Sequence, residues 1–84
     1  MISPKLKTVL LTALGLDDYP FTDATVATEV VGWDSLKHME IIGDVEGAFG
    51  VRFRAYEVVN LPNVGALQQL VDRKLAEKPL RNAG

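Results

Sequence analysis

Residues 16–33 carry no sustained hydrophobic period and include Pro20 and Gly32, yet they lie between two stretches whose apolar residues recur at helical spacing. Two helices are therefore expected to be joined by a long loop. A loop of that length in a compact domain is uncommon and tends to serve a function. Eighty-four residues make one small domain with a limited core, so the loop has to be pinned to the helices it connects. Leu16, Tyr19, Phe21, Val26 and Trp33 are the side chains that would pin it.

The helices announce themselves by their ends. Ser3-Pro4 reads as an N-cap followed by proline at the first helical position, and Leu6, Val9, Leu10, Ala13 and Leu14 then form one apolar stripe closed by Gly15. A second helix is predicted from Asp34 or Ser35 to Phe49, closed by Gly50, and a short third around Tyr56–Asn60. Pro62-Asn63 caps a fourth, whose Val64, Leu67, Leu70, Val71 and Leu75 face one way before Pro79 stops the pattern. With no good strand pair, the expected fold is all-α: a small four-helix bundle over residues 1–78, with a disordered tail over 79–84. Its core should bring Ile42, Val45 and Phe49 against Leu10, Leu14, Leu67 and Val71, which would make Phe49→Ala a loss of about 3–5 kcal/mol.

Composition narrows the chemistry. The chain has no cysteine, so it offers neither a disulfide nor a thiolate metal site, and any reactive thiol has to come from a cofactor. Residues 1–46 hold eight acids against Lys5, Lys7 and Lys37, a net −5, whereas residues 47–84 hold three acids against six bases, a net +3. Phosphates approaching the first half would meet carboxylates, which argues against nucleic acid and for a basic protein surface as the partner. Lys5 to Leu16 superficially resembles a signal peptide, but Asp17-Asp18-Tyr19-Pro20 follows where small residues would mark cleavage. A cytoplasmic, monomeric chain without membrane insertion is expected, because no apolar run approaches the ~20 residues that span a bilayer.

Asp34-Ser35-Leu36, preceded by Gly32-Trp33, stands where the loop turns into the second helix. The Ser35 hydroxyl would be exposed there beside backbone N–H groups suited to holding a phosphate. Within this helix His38, Ile41, Ile42, Val45 and Phe49 cluster on the core side at roughly 100° per residue. The outer face carries Leu36, Glu40, Gly43, Asp44 and Gly47, flanked by Met39 and Glu46. Each glycine costs about 1 kcal/mol relative to alanine in an exposed helix interior, so the pair suggests either a smooth surface for a partner or a tolerated loss in a helix held by its core face. His38 projects inward, either as a satisfied core histidine or beside a bound group.

Taken together, the first amphipathic helix, the long loop, Asp34-Ser35-Leu36, Phe49-Gly50-Val51 and the helix from Val64 to Val71 give a chain that resembles the acyl carrier proteins over nearly all of its length. The resemblance implies that residues 1–78 form a carrier domain and that Ser35 bears 4′-phosphopantetheine, transferred from coenzyme A by a phosphopantetheinyl transferase. It further implies that acyl groups ride on the terminal thiol as thioesters, which suits a chain without cysteine. Asp34 would cap the helix or help orient the transferase and its metal ion, and Leu36 would flank the cofactor. Leu36, Met39, Glu40, Gly43, Asp44 and Glu46 would recognise acyl-loading and acyl-processing enzymes with basic docking surfaces. These would belong to fatty-acid or specialised lipid or polyketide biosynthesis: Lys37, Gly43 and Gly47, followed by Arg52 and Arg54, depart from the strongly acidic second helix of fatty-acid-synthesis members and imply a different partner surface, and Trp33 with the basic Arg52–Arg54 stretch looks more like a carrier of a specialised pathway.

Catalysis by the chain itself is not expected. One histidine, no cysteine and no glycine-rich phosphate loop leave little for nucleophilic or metal chemistry, and a Ser35/His38 pair lacks a third member and an oxyanion site. The competing reading is an unmodified helical adaptor that binds a protein through the acidic and apolar face of the second helix.

Overall fold

The computed structural model describes the backbone of residues 1–82 and the side chains of residues 1–77. Four α-helices and no strand occur among the described residues: α1 (Pro4–Leu14), α2 (Ser35–Phe49), α3 (Ala55–Val58) and α4 (Val64–Asn82). Their starts follow from local hydrogen bonding. Ser3 Oγ accepts the Leu6 N–H at 3.2 Å, Asp34 Oδ1 accepts the Lys37 N–H at 2.8 Å, and Asn63 Oδ1 accepts the Ala66 N–H at 2.9 Å. Gly15 and Gly50 close α1 and α2 in the left-handed conformation. The third helix is shorter than the sequence suggests and begins one residue earlier, because Glu57 Oε1 accepts the Arg54 N–H at 2.7 Å and fixes the start at Ala55.

The helices enclose a core of Leu6, Leu10, Ile41, Ile42, Val45, Val58, Val64, Leu67, Leu70 and Val71. Phe49 packs only partly against it, with the Lys5 ammonium 4.9 Å from the ring centroid. It sits in the last turn of α2, where the bundle tapers, so its truncation falls below the range for a fully buried phenylalanine; Ile41 and Val45 occupy the centre instead. The described backbone of α4 continues through Pro79 to Asn82, where a stop was expected. A proline removes one main-chain donor, which a helix already propagated over four turns can lose. Residues 83–84 lie outside the described residues.

The long loop is pinned at two places. Near its middle, residues 27–29 form a single 3₁₀ turn, in which side chains three apart align. Ala27 and Val30 consequently face the core, with Val30 in the anchoring position expected of Val26, and a separate turn through Gly32 brings Trp33 to the core as well. Earlier, residues 23–25 lie across the start of α4: the Val64 N–H donates to Thr25 O at 2.8 Å and the Gly65 N–H to Asp23 O at 3.0 Å. These two bonds satisfy N–H groups that the first turn of a helix otherwise leaves orphaned. The approach is so close that a Cβ on Gly65 would stand 2.7 Å from Asp23 Cβ and 2.8 Å from Asp23 O. Glycine is required there for space.

Candidate functional site

The loop delivers Ser35 to the first position of α2. Gly32 turns the chain with φ 90°, a conformation other residues rarely adopt, and the Trp33 N–H then donates to Val30 O at 3.2 Å. Ser35 is exposed, and its hydroxyl makes no hydrogen bond among the described residues. Asp34 uses its carboxylate on the Lys37 N–H and its carbonyl on the His38 N–H, the latter at 2.8 Å. The N–H groups of Ser35 and Leu36 have no acceptor among the described residues, so they remain available at the positive end of the helix dipole.

Ser35 opens onto a groove of about 570 Å³ walled by Ala27, Trp33, His38, Met39, Val59 and Leu61. That volume lies within the range of small-molecule and cofactor sites. Two of its walls are exposed apolar side chains, Met39 on α2 and Val59 just past α3, and Leu36 is exposed on α2 next to Ser35 in the chain. Behind the groove, Ala27, Trp33, His38 and Leu61 also line a space of only about 20 Å³ that reaches Val64 and Leu67 of α4. Such a space has room for about one water.

His38 is both of the things the sequence left open, a satisfied histidine and a wall of the groove. The Trp33 Nε1–H donates to His38 Nδ1 at 3.1 Å, and His38 Nε2 lies 2.9 Å from Val58 O. Indole can only donate and a carbonyl can only accept, so the ring is the neutral tautomer with its proton on Nε2. One signal for this pairing lies in the sequence: a tryptophan drawn into a core needs an acceptor for its N–H.

The outer face of α2 is less acidic than its composition. Leu36, Met39, Glu40, Gly43, Asp44 and Gly47 are exposed as expected, and a Cβ on either glycine would meet nothing within 4 Å. However, Glu40 Oε1 is held by Lys37 Nζ at 2.8 Å, the hydrogen bond that raises the Lys37 pKa above its ordinary value. Glu46 is turned away: its Oε2 accepts the Phe53 N–H at 2.8 Å and anchors the segment between α2 and α3. Asp44 is left as the carboxylate of this face without an ion pair among the described residues. Past the Phe53 anchor, Arg52 and Arg54 are both exposed on an extended stretch, which places them on one side.

A second electrostatic cluster, not foreseen from sequence, ties α3 to α4. Glu57 Oε2 lies 3.0 Å from Lys74 Nζ and 3.5 Å from Arg73 Nη2. The Arg54 N–H on its other oxygen, followed by the Lys74 ammonium, holds the Glu57 carboxyl below the ordinary value. No group of three or more metal-ligating side chains occurs among the described residues, and no described helix is long and apolar enough to cross a membrane.

Comparison with known proteins agrees with this geometry. Residues 4–71 match the family model described as the phosphopantetheine attachment site. The chain is 27% identical over 74 residues to the acyl carrier protein of Thermotoga maritima, covering 88% of this chain and 91% of that one. Its fold is similar to the solution NMR structure of holo acyl carrier protein from Geobacter metallireducens, with a TM-score of 0.81 and 35% identity over 90% of this chain and 91% of that one.

Proposed function

The chain belongs to the acyl carrier protein family, and from that premise we propose that Ser35 Oγ is the point at which its 4′-phosphopantetheine group is attached. The observation that carries this reading is an exposed serine with a free hydroxyl and two free N–H groups at a helix start, opening onto an apolar-walled groove. Those features fit the group. The N–H groups of Ser35 and Leu36 would donate to a phosphodiester, the helix dipole would favour its charge, and the groove at Trp33, His38, Val59 and Leu61 would receive the arm beyond it. When bound, the group supplies the thiol that the cysteine-free chain lacks and on which acyl groups are carried as thioesters.

Asp34 has two roles in this reading. One carboxylate oxygen caps α2, and the other is free to orient the metal ion that the transferase brings. The chain itself performs no catalysis. Leu36, Met39, Glu40, Gly43 and Asp44 form the surface that acyl-loading and acyl-processing enzymes dock on, as a monomer in the cytoplasm. With Glu40 paired and Glu46 turned inward, Leu36 and Met39 carry more of the recognition than charge does, and Arg52 and Arg54 suit partners of a specialised lipid or polyketide pathway rather than housekeeping fatty-acid synthesis.

Incubation with coenzyme A and a promiscuous phosphopantetheinyl transferase, followed by intact-protein mass spectrometry, tests the attachment. One phosphopantetheine should be gained per chain and none by Ser35→Ala, with the helical circular-dichroism spectrum unchanged. An unmodified wild-type chain would favour the adaptor reading, and a modified Ser35→Ala chain would move the site elsewhere.

A further inference from the structure

The groove at Ser35 and the small space behind it share four walls, and two of those walls are joined to each other and to α3. Trp33 Nε1–H donates to His38 Nδ1, and His38 Nε2–H donates to Val58 O. This line runs from the end of the long loop, through the first turn of α2, to the last residue of α3. The two rings are 27° from parallel with centroids 6.1 Å apart, the arrangement of rings that meet edge to edge through that in-plane hydrogen bond. Trp33 and Val58 are buried, so breaking either bond leaves a polar group without water close by.

We propose that Trp33, His38 and the Val58 carbonyl form a latch that holds α3 against α2 and separates the Ser35 groove from the core. With the latch shut, the space behind is the size of about one water, so short cargo lies in the groove and long apolar cargo is excluded. With it open, α3 swings from α2 and the groove becomes continuous with the apolar surface of Val64 and Leu67. His38 and Trp33 are then positioning residues that set which chain lengths the domain shelters. The short α3 suits such a role, since its four residues hold few main-chain bonds of their own.

The latch rests on the carrier reading for its cargo but not for its geometry, so its test begins on the unmodified chain. Trp33→Phe removes the indole donor and keeps a ring; His38→Leu removes both bonds; His38→Gln restores an acceptor and a donor in one plane. Amide exchange at Glu57 and Val59, whose N–H groups donate to Arg54 O and Ala55 O, should speed by about tenfold in the first two variants, with α1 and α4 unchanged, and return toward wild type in His38→Gln. The Trp33 indole N–H resonance should exchange faster in His38→Leu and recover in His38→Gln. After loading, attachment of a long acyl chain should raise the Tm more in Trp33→Phe than in wild type, whereas a short one should affect both equally. Exchange that is unchanged at α3, or that speeds uniformly over all four helices, overturns the latch. So does an acyl-length dependence identical in wild type and Trp33→Phe. Loss of modification itself is read separately, by mass, and bears on Ser35 alone.

Discussion

Replacing Gly65 with alanine opposes two effects of known size. In the first turn of an exposed helix the change is stabilising, by at most about 1 kcal/mol, because alanine loses less backbone entropy. Here the new Cβ would meet the Asp23 main chain, at 2.8 Å from its carbonyl oxygen and 2.9 Å from its Cα, so that strand of loop has to move. Moving it breaks the bonds from Gly65 N–H to Asp23 O and from Val64 N–H to Thr25 O, each worth about 1 kcal/mol net. Strain from overpacking adds about 1–3 kcal/mol if the loop resists instead. Net of the propensity gain, moving the loop costs about 1–2 kcal/mol, a fall in Tm of about 4–16 °C for a domain of this size, and resisting costs up to about 3 kcal/mol. Gly43→Ala and Gly47→Ala are the controls, since a Cβ at either meets nothing within 4 Å and only the propensity gain of up to about 1 kcal/mol remains. Thermal unfolding followed by circular dichroism reads all three. Gly65→Ala as stable as Gly43→Ala would refute the docking of the loop on α4, and with it the reason Trp33 and Ser35 are held where they are.

Two further outcomes follow from the charges. The Glu57 carboxyl is held below its ordinary value, so the stability it contributes is present above the unfolded pKa and is lost as pH falls through the folded one. The Tm difference between wild type and Glu57→Gln should therefore shrink below about pH 4, and a difference that stays constant down to pH 2 would mean that the Lys74 and Arg73 contacts contribute nothing. Asp44→Lys should slow association with a basic partner at low ionic strength with little change in stability, whereas Glu46→Lys should lower stability by about 1–3 kcal/mol because the Phe53 N–H loses its acceptor. Stopped-flow association and thermal melts separate the pair, and equal stability in the two variants would show that the Glu46 contact is unimportant.

The caps and stripes were readable because they are local. Ser3, Asp34 and Asn63 each satisfy N–H groups within three residues of themselves, and Leu6, Leu10, Ile41, Val45, Leu67 and Val71 repeat at a helical period, so residue identity and spacing suffice. What escaped the sequence depends on partners far along the chain. Glu46 counts as an outer-face carboxylate until the segment after Gly50 folds back to place the Phe53 N–H beside it. Glu57 becomes a tether only when Arg73 and Lys74 arrive from α4, and Gly65 becomes indispensable only when Asp23 crosses over it. His38 sits on the core side of α2 by periodicity, but its tautomer is set by Trp33 on one nitrogen and Val58 on the other. Pro79 usually stops a helix, an effect that the length of α4 outweighs.

The absence of cysteine gives the central claim its most direct measurement, a thiol titration on the chain before and after reaction with coenzyme A and transferase. Once free coenzyme A is removed, any thiol found belongs to the attached group. The wild-type chain should go from none to one thiol per chain, and Ser35→Ala should remain at none. A wild-type chain that gains no thiol, or a Ser35→Ala chain that gains one, would contradict the assignment of Ser35 as the point of attachment.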